Sequence, residues 1–179
     1  MSSKPYKDFE PKWVKTPAPK DSYRSIFRWG DPEYVKYPKE SLYKMMKEKF
    51  DMTDEDFASY DGDIGMDPVK LDAPCNLAPE HIEALKKIAG DEFVTTEDYP
   101  RLAVAYGKTG YDAARLRQRI IENLPDVVVY PGTTKQIEEI VAYSTKHGIP
   151  LYVYGGGSSV TRGVEPVKGG ISLDMRKRY

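Results

Sequence analysis

"PDVVVYPGTTKQIEEIVAYSTKHGIPLYVYGGGSSVTRG", residues 125–163, reads as a strand, a helix, a second strand and a glycine-rich loop. DVVVY (126–130) is a β-branched run short enough for a buried strand, and Pro131-Gly132 stops it. Thr133 with Gln136 three residues on makes a capping box, Ile137, Ile140 and Val141 supply an apolar face, and Gly148 and Pro150 end the helix. LYVY (151–154) is the second strand. A helical crossover predicts that the two strands lie parallel in one sheet, with a right-handed connection. The glycine run then sits at the carboxyl end of the second strand, the edge at which open α/β sheets bind ligands.

Three named loop motifs fail on spacing. A dinucleotide fingerprint begun at Gly155 meets Val160 where its last glycine belongs, and the Gly-Lys-Ser/Thr ending of a phosphate-binding P-loop is absent. A nucleophile elbow around Ser158 would pair Gly156 with Val160, so Ser158 is not indicated as a nucleophile. The physical capacity of the segment remains. Consecutive glycines accept positive φ and carry no Cβ, so successive N–H groups can converge on one anion, and Ser158 and Ser159 add hydroxyl donors. A diphosphate suits such a row of amides. On composition alone, a tight solvent-facing turn is an equal alternative.

Composition excludes other classes. Lys plus Arg is 27 against 28 for Asp plus Glu, a net charge of −1 that offers no field for nucleic acid or an anionic membrane. The single cysteine, Cys75, cannot form an internal disulfide, and the first residues lack the apolar core of a signal peptide, so the expectation is a reducing, cytoplasmic setting. No stretch approaches the ~18 consecutive apolar residues of a membrane span. Cys75 reads as a small buried or loop residue.

Residues 1–76 form an arm rich in Pro, Lys, Asp and Tyr; residues 77–179 carry the folded pattern. In the arm only KESLYKMMKEKF (39–50) has helical spacing, through Leu42, Met45, Met46 and Phe50. A calcium loop begun at Asp61 would put Met66 where the sharp turn needs glycine, so that acidic run reads as a solvated loop with a helical turn. Trp13 and Trp29 read as anchors of the arm on a larger surface. APEHIEALKKIAG (78–90) predicts a helix with Pro79 at its start, Ile82, Leu85 and Ile88 on one stripe, and a left-handed Gly90 past its end. RLAVAYGKTGYDAARLRQRIIENL (101–124) gives no steady period and reads as mostly irregular.

Taken with KGGISLDM (168–175), the opening stretch resembles the first half of the FAD-binding domain of the vanillyl-alcohol oxidase, or PCMH, type of FAD-linked oxidases and D-2-hydroxyacid dehydrogenases. That family shows a strand ending in Pro, a helix, a strand, a Gly-Gly-Gly-Thr/Ser-Ser loop on the flavin diphosphate, then Gly-Gly and a strand ending near Asp. FRWGDPEY (27–34) and YGKTGYDAARLRQRIIENLPDVVVYP (106–131) resemble the start of its alkylglycerone-phosphate-synthase-like and glycolate-oxidase-like branch. The resemblance implies an α+β chain: the parallel βαβ first half of a PCMH-type FAD domain, preceded by an irregular and helical arm. By position it implies a diphosphate cradle of Gly155, Gly156, Gly157, Ser158 and Ser159, flanked by Tyr154 and Val160, with Pro131 beside the adenine end. Covalent members attach flavin through a histidine near this loop. His81 and His147 are distant in sequence, so non-covalent FAD is implied. Arg162 is close enough to the loop to be a charge partner of the diphosphate or a solvated arginine.

Family members run to several hundred residues, and no residue here matches a catalytic base or a metal ligand. The expectation is a portion or subunit of a flavin-dependent 2-hydroxyacid oxidoreductase. A partner polypeptide would supply the rest of the FAD and cap domains, and electrons would leave to an electron-transfer protein. The alternatives are an alkylglycerone-phosphate-synthase-like transferase and a non-catalytic assembly subunit or fragment.

Overall fold

Burial on both faces explains the unbroken apolar run at 126–130. In the computed structural model, which describes residues 18–26, 40–58, 65–176 and 178, Val127 and Val129 face one core, and Val128 and Tyr130 face another. The helices in chain order are α1 (Glu40–Phe50), α2 (Asp54–Ala58), α3 (Pro79–Ala89), α4 (Asp98–Ala103), α5 (Gly110–Arg117) and α6 (Thr134–His147). The strands are β1 (Val94–Thr95), β2 (Val127–Val129), β3 (Leu151–Tyr154) and β4 (Ile171–Asp174). Trp13, Trp29, Asp61 and the FRWGDPEY segment lie outside the described residues.

The sheet runs β1-β2-β4-β3. β2, β4 and β3 are mutually parallel, with Val127 and Leu151 both in register with Ile171, and β1 pairs antiparallel with β2. The two strands joined by α6 are parallel in one sheet, as expected, but β4 separates them. The Gly169-Gly170 turn makes that insertion possible. Gly170 has φ +81°, and a Cβ on it would lie 2.3 Å from the Pro150 carbonyl oxygen. The bare backbone lets Ile171 N–H donate to that carbonyl at 2.8 Å, while the Gly170 carbonyl accepts from Asp126 N–H at 2.8 Å. Asp126 Oδ2 in turn accepts from Gly170 N–H. All four residues of β4 are buried, as befits a central strand.

One face of the sheet is covered by α3 and α6 through Leu85, Ala89 and Ile140, packed on Val127, Val129, Ile171 and Leu173. Thr133 caps α6 by accepting from Gln136 N–H, but the other half of the expected box is altered: Gln136 Oε1 accepts from Gly132 N–H at 2.8 Å, and its Nε2 donates to the Ile88 carbonyl at 3.1 Å. One side chain thus joins the start of α6 to the end of α3. Gly90 ends α3 with φ 101° and ψ 143°, positive φ but extended rather than left-handed helical. On the far side, Tyr23, Ile26 and Val69 pack with Leu102, Tyr106 and Leu116, so α4 and α5 are ordered helices where the sequence reads as irregular. Helix α1 matches the expected stretch, yet no residue of it is buried and Phe50 is 67% exposed.

Replacing Gln136 with Ala removes the link between α3 and α6, and is expected to lower unfolding free energy by about 1–2 kcal/mol. Denaturant melts check this; an unchanged midpoint would contradict the bridging role.

Candidate functional site

The three parallel strands release the chain at one edge of the sheet, through Tyr130-Pro131, Tyr154-Gly155 and Asp174-Met175. Met175 N–H donates to the Tyr154 carbonyl at 3.0 Å, which closes the β3–β4 seam there. Between Tyr154 and Ile171 the chain makes a parallel connection without helix or strand, and the glycine run is its first part. Gly155, Gly156, Ser158 and Val160 are exposed, Gly157 and Ser159 half-buried, Pro131 and Tyr154 buried.

The glycines divide by what they do. A Cβ on Gly155 or Gly156 would meet nothing within 4 Å, so the front of the loop is open to a ligand. Gly157 has φ +69°, and a Cβ there would lie 2.5 Å from Tyr154 Oη. The Tyr154 phenol therefore props the loop from beneath, with the Arg176 guanidinium 4.5 Å over its ring. Burial raises the Tyr154 pKa and keeps the phenol neutral. Ser159 Oγ accepts from Gly163 N–H at 3.1 Å, so that hydroxyl shapes the loop's own turn. Three consecutive amides and an exposed Ser158 hydroxyl at a sheet's carboxyl edge are a donor set that fits a diphosphate.

The back of the loop is clamped by residues 107–112. Lys108 N–H donates to the Val160 carbonyl at 3.1 Å. A Cβ on Gly107 would fall 2.4 Å from that same oxygen and 2.9 Å from Arg162 N, so only glycine permits the approach. Asp112, fully buried, accepts from Arg162 Nε at 2.7 Å and from Thr109 Oγ1 at 2.9 Å. Thr109 is also the N-cap of α5, accepting from Asp112 N–H. Arg162 holds a positive φ of 65°, in a loop that the ion pair keeps in place. Arg162 is thus held away from the front of the loop: its Nε is paired with Asp112, and its Nη1 lies 3.7 Å from Glu165.

Lys108 points away from the loop and donates from Nζ to the Ile26 carbonyl at 2.7 Å. Burial pushes its pKa down to about 8, helped by the Arg176 charge and opposed by Asp112. At the other end of the edge, Arg178 Nη1 donates to the carbonyls of Ala89 and Tyr130, and its guanidinium lies 3.5 Å over the Phe93 ring, beside Pro131 and Gly132. Both histidines sit elsewhere, on α3 and α6, where His81 Nδ1 lies 2.8 Å from Tyr143 Oη and the His81 and His147 rings are 5.1 Å apart. A cavity of about 950 Å³ opens at the opposite, amino end of the sheet, lined by Arg101, Asp126 and Lys168 but by no residue of the glycine run. Among the described residues no cluster of three or more His, Cys, Asp or Glu is placed to hold a metal, and no helix is long and apolar enough to cross a membrane.

Residues 125–179 match the family model described as FAD binding domain. Over those residues the chain is similar to FAD-binding domains. Alkyldihydroxyacetonephosphate synthase of Trypanosoma brucei brucei is 28% identical over 170 residues, covering 83% of this chain and 28% of that protein. Glycolate oxidase subunit GlcD of Bacillus subtilis (strain 168) is 26% identical over 91 residues, covering 51% of this chain and 17% of that protein. A solved structure of alkyldihydroxyacetonephosphate synthase matches with a TM-score of 0.57 at 28% identity, over 61% of this chain and 21% of that one. The chain spans about a quarter of the length of the synthases it matches.

Gly107→Ala is expected to lower stability by about 1–3 kcal/mol through the clash with Val160, and to raise amide exchange across residues 158–163. Unchanged exchange would mean the clamp does not set the loop. A second prediction follows from Lys108. Its folded pKa lies below the ordinary 10.5, so between about pH 8 and 10 the unfolded chain binds more protons and stability should rise with pH, by at most ~1.4 kcal/mol per unit. Above about pH 10 the buried Tyr106, Tyr130 and Tyr154, whose pKa values burial raises, act in the opposite direction. Denaturant melts across this window, with Lys108→Met as the flattened control, check it. A wild-type profile that is flat or falling from pH 8 to 10 would contradict it.

Proposed function

We propose that this chain is the FAD-binding portion or subunit of a flavin-dependent oxidoreductase acting on 2-hydroxyacids, and that FAD is held non-covalently with its diphosphate on the backbone of residues 155–159. The observation that carries the reading is the division of labour in the loop. Gly155 and Gly156 leave the front open, while Gly157 and Val160 are fixed from behind by Tyr154 and Lys108. Pro131 and Tyr154 bound the cradle, with Val160 at its exit. The segregation of both histidines to the α3–α6 pair favours a non-covalent cofactor.

Bound flavin would supply hydride acceptance from the substrate carbon. This chain's residues would anchor the diphosphate and shield one side of it; the substrate base and cap belong to a partner polypeptide or a further segment. Among the described residues β3 is the terminal strand of the sheet, and its lateral edge is where such a partner would pair. Electrons would then pass to an electron-transfer protein, in a cytoplasmic setting. A second reading, a transferase like alkyldihydroxyacetonephosphate synthase, is favoured by how much more of this chain that protein covers, 83% against 51% for GlcD.

Gly156→Glu separates binding from folding. A side chain there meets no neighbour, so melting should be unchanged, while a carboxylate in the cradle repels the diphosphate. Titrated with FAD, together with any polypeptide that co-purifies from the native source, the variant is expected to bind at least about 100-fold more weakly, the loss of roughly two charge-assisted hydrogen bonds. Equal affinity would overturn the assignment of the cradle.

A further inference from the structure

Two arginines from different elements reach the same carboxylate oxygen. Arg115 Nη2 on α5 contacts Glu122 Oε2, and Arg162 Nη1 lies 3.9 Å from it. Arg115 is 3% exposed, yet neither Nη1 nor Nη2 has a hydrogen-bond partner, and Arg162 Nη2 is likewise shut away from water without one. The Glu122 contact balances charge at Arg115 without an aligned hydrogen bond. Among the described residues no other buried side-chain nitrogen or oxygen is left so. The buried Arg101, by contrast, donates to the carbonyls of Pro125, Ala73 and Pro74. Buried donors are almost always satisfied, and two nitrogens of one cluster with neither hydrogen bond nor ion pair, Arg115 Nη1 and Arg162 Nη2, point to a missing acceptor.

What closes the cluster toward solvent can move. Glu122 is 57% exposed on its side chain, belongs to a stretch without helix or strand, and borders the cavity at the amino end of the sheet. The Tyr111 ring, on a residue 69% exposed, lies 5.5 Å from the Arg115 guanidinium carbon and 5.6 Å from that of Arg162. We propose that Arg115 and Arg162 form an oxyanion site, distinct from the glycine cradle, which takes a phosphate group when Glu122 swings out and Tyr111 lifts. A carboxylate is already present, yet it meets only Arg115 Nη2 and leaves Arg115 Nη1 and Arg162 Nη2 without an acceptor. A phosphate offers three or four oxygens in a tetrahedral spread, enough for both guanidinium forks. Asp112 and Glu165 remain to balance part of the Arg162 charge, so binding should be moderate rather than tight.

The site does not depend on the flavin reading, and the test uses the full chain. Inorganic phosphate is titrated calorimetrically at constant ionic strength into the wild type, Glu122→Gln and Arg115→Gln, with and without saturating FAD. Support would be saturable binding that tightens about tenfold in Glu122→Gln, because the competing carboxylate charge is gone, and that persists with FAD present. Because Arg115 is buried and its replacement also tests folding, the gain in Glu122→Gln is the deciding result. Tighter binding of glycerol phosphate than of inorganic phosphate would make the natural ligand an organic phosphate; equal or weaker binding would make it the free anion. No binding, no gain in Glu122→Gln, or displacement by FAD would overturn the proposal.

Discussion

The candidate site depends on one buried carboxylate. Asp112 is wholly removed from water, and such a charge is tolerable only when it is neutralised and hydrogen-bonded. Arg162 supplies the opposite charge, and Thr109 a hydroxyl. These contacts join α5 to the far end of the glycine loop. Removing either partner of such a pair leaves an uncompensated buried charge, at a cost of ~3–5 kcal/mol. The loop is therefore not a free tether between β3 and β4: its start is fixed by the sheet and its end by this ion pair, with open amides between.

The sheet determines where that loop emerges. β4 enters between β2 and β3 because Gly170 can approach Pro150 and Asp126 closely. Once it is there, three parallel strands deliver their carboxyl ends to one edge, and the loop, Pro131 and the Asp174–Arg176 pair are collected side by side. The amino edge carries different chemistry. Its cavity is lined by charged groups of both signs, and its buried members, Arg101 and Asp126, are already bonded to backbone.

Much of this was legible in residue order. The β-branched run at 126–130, the Thr133 cap and the Gly148 stop define strand, helix and turn because each rests on local backbone preferences. The glycine run was legible as a loop at the carboxyl end of a strand, which is where the structure has it; its occupant is the subject of the proposal above. The position of β4 was not legible, since strand order depends on which edges pair, and sequence periodicity carries no record of that. Helices α4 and α5 were obscured because their buried faces carry Arg101, Asp112 and Arg115, charged residues that erase the apolar period. The clamp was hidden for the same reason: its signal, Thr109 with Asp112 three residues on, is an ordinary helix cap until Arg162 arrives from fifty residues away.

The central claim is that the backbone of residues 155–160 meets the cofactor while residues 107–112 hold it in shape. Amide hydrogen exchange on the full chain, with and without saturating FAD, tests it most directly. The account predicts FAD-dependent protection concentrated at Gly155–Val160, with the amides of 108–113 and of the cavity segment 67–74 unchanged. Protection confined to the cavity end of the sheet, or none at the glycine run with FAD demonstrably bound, would contradict it.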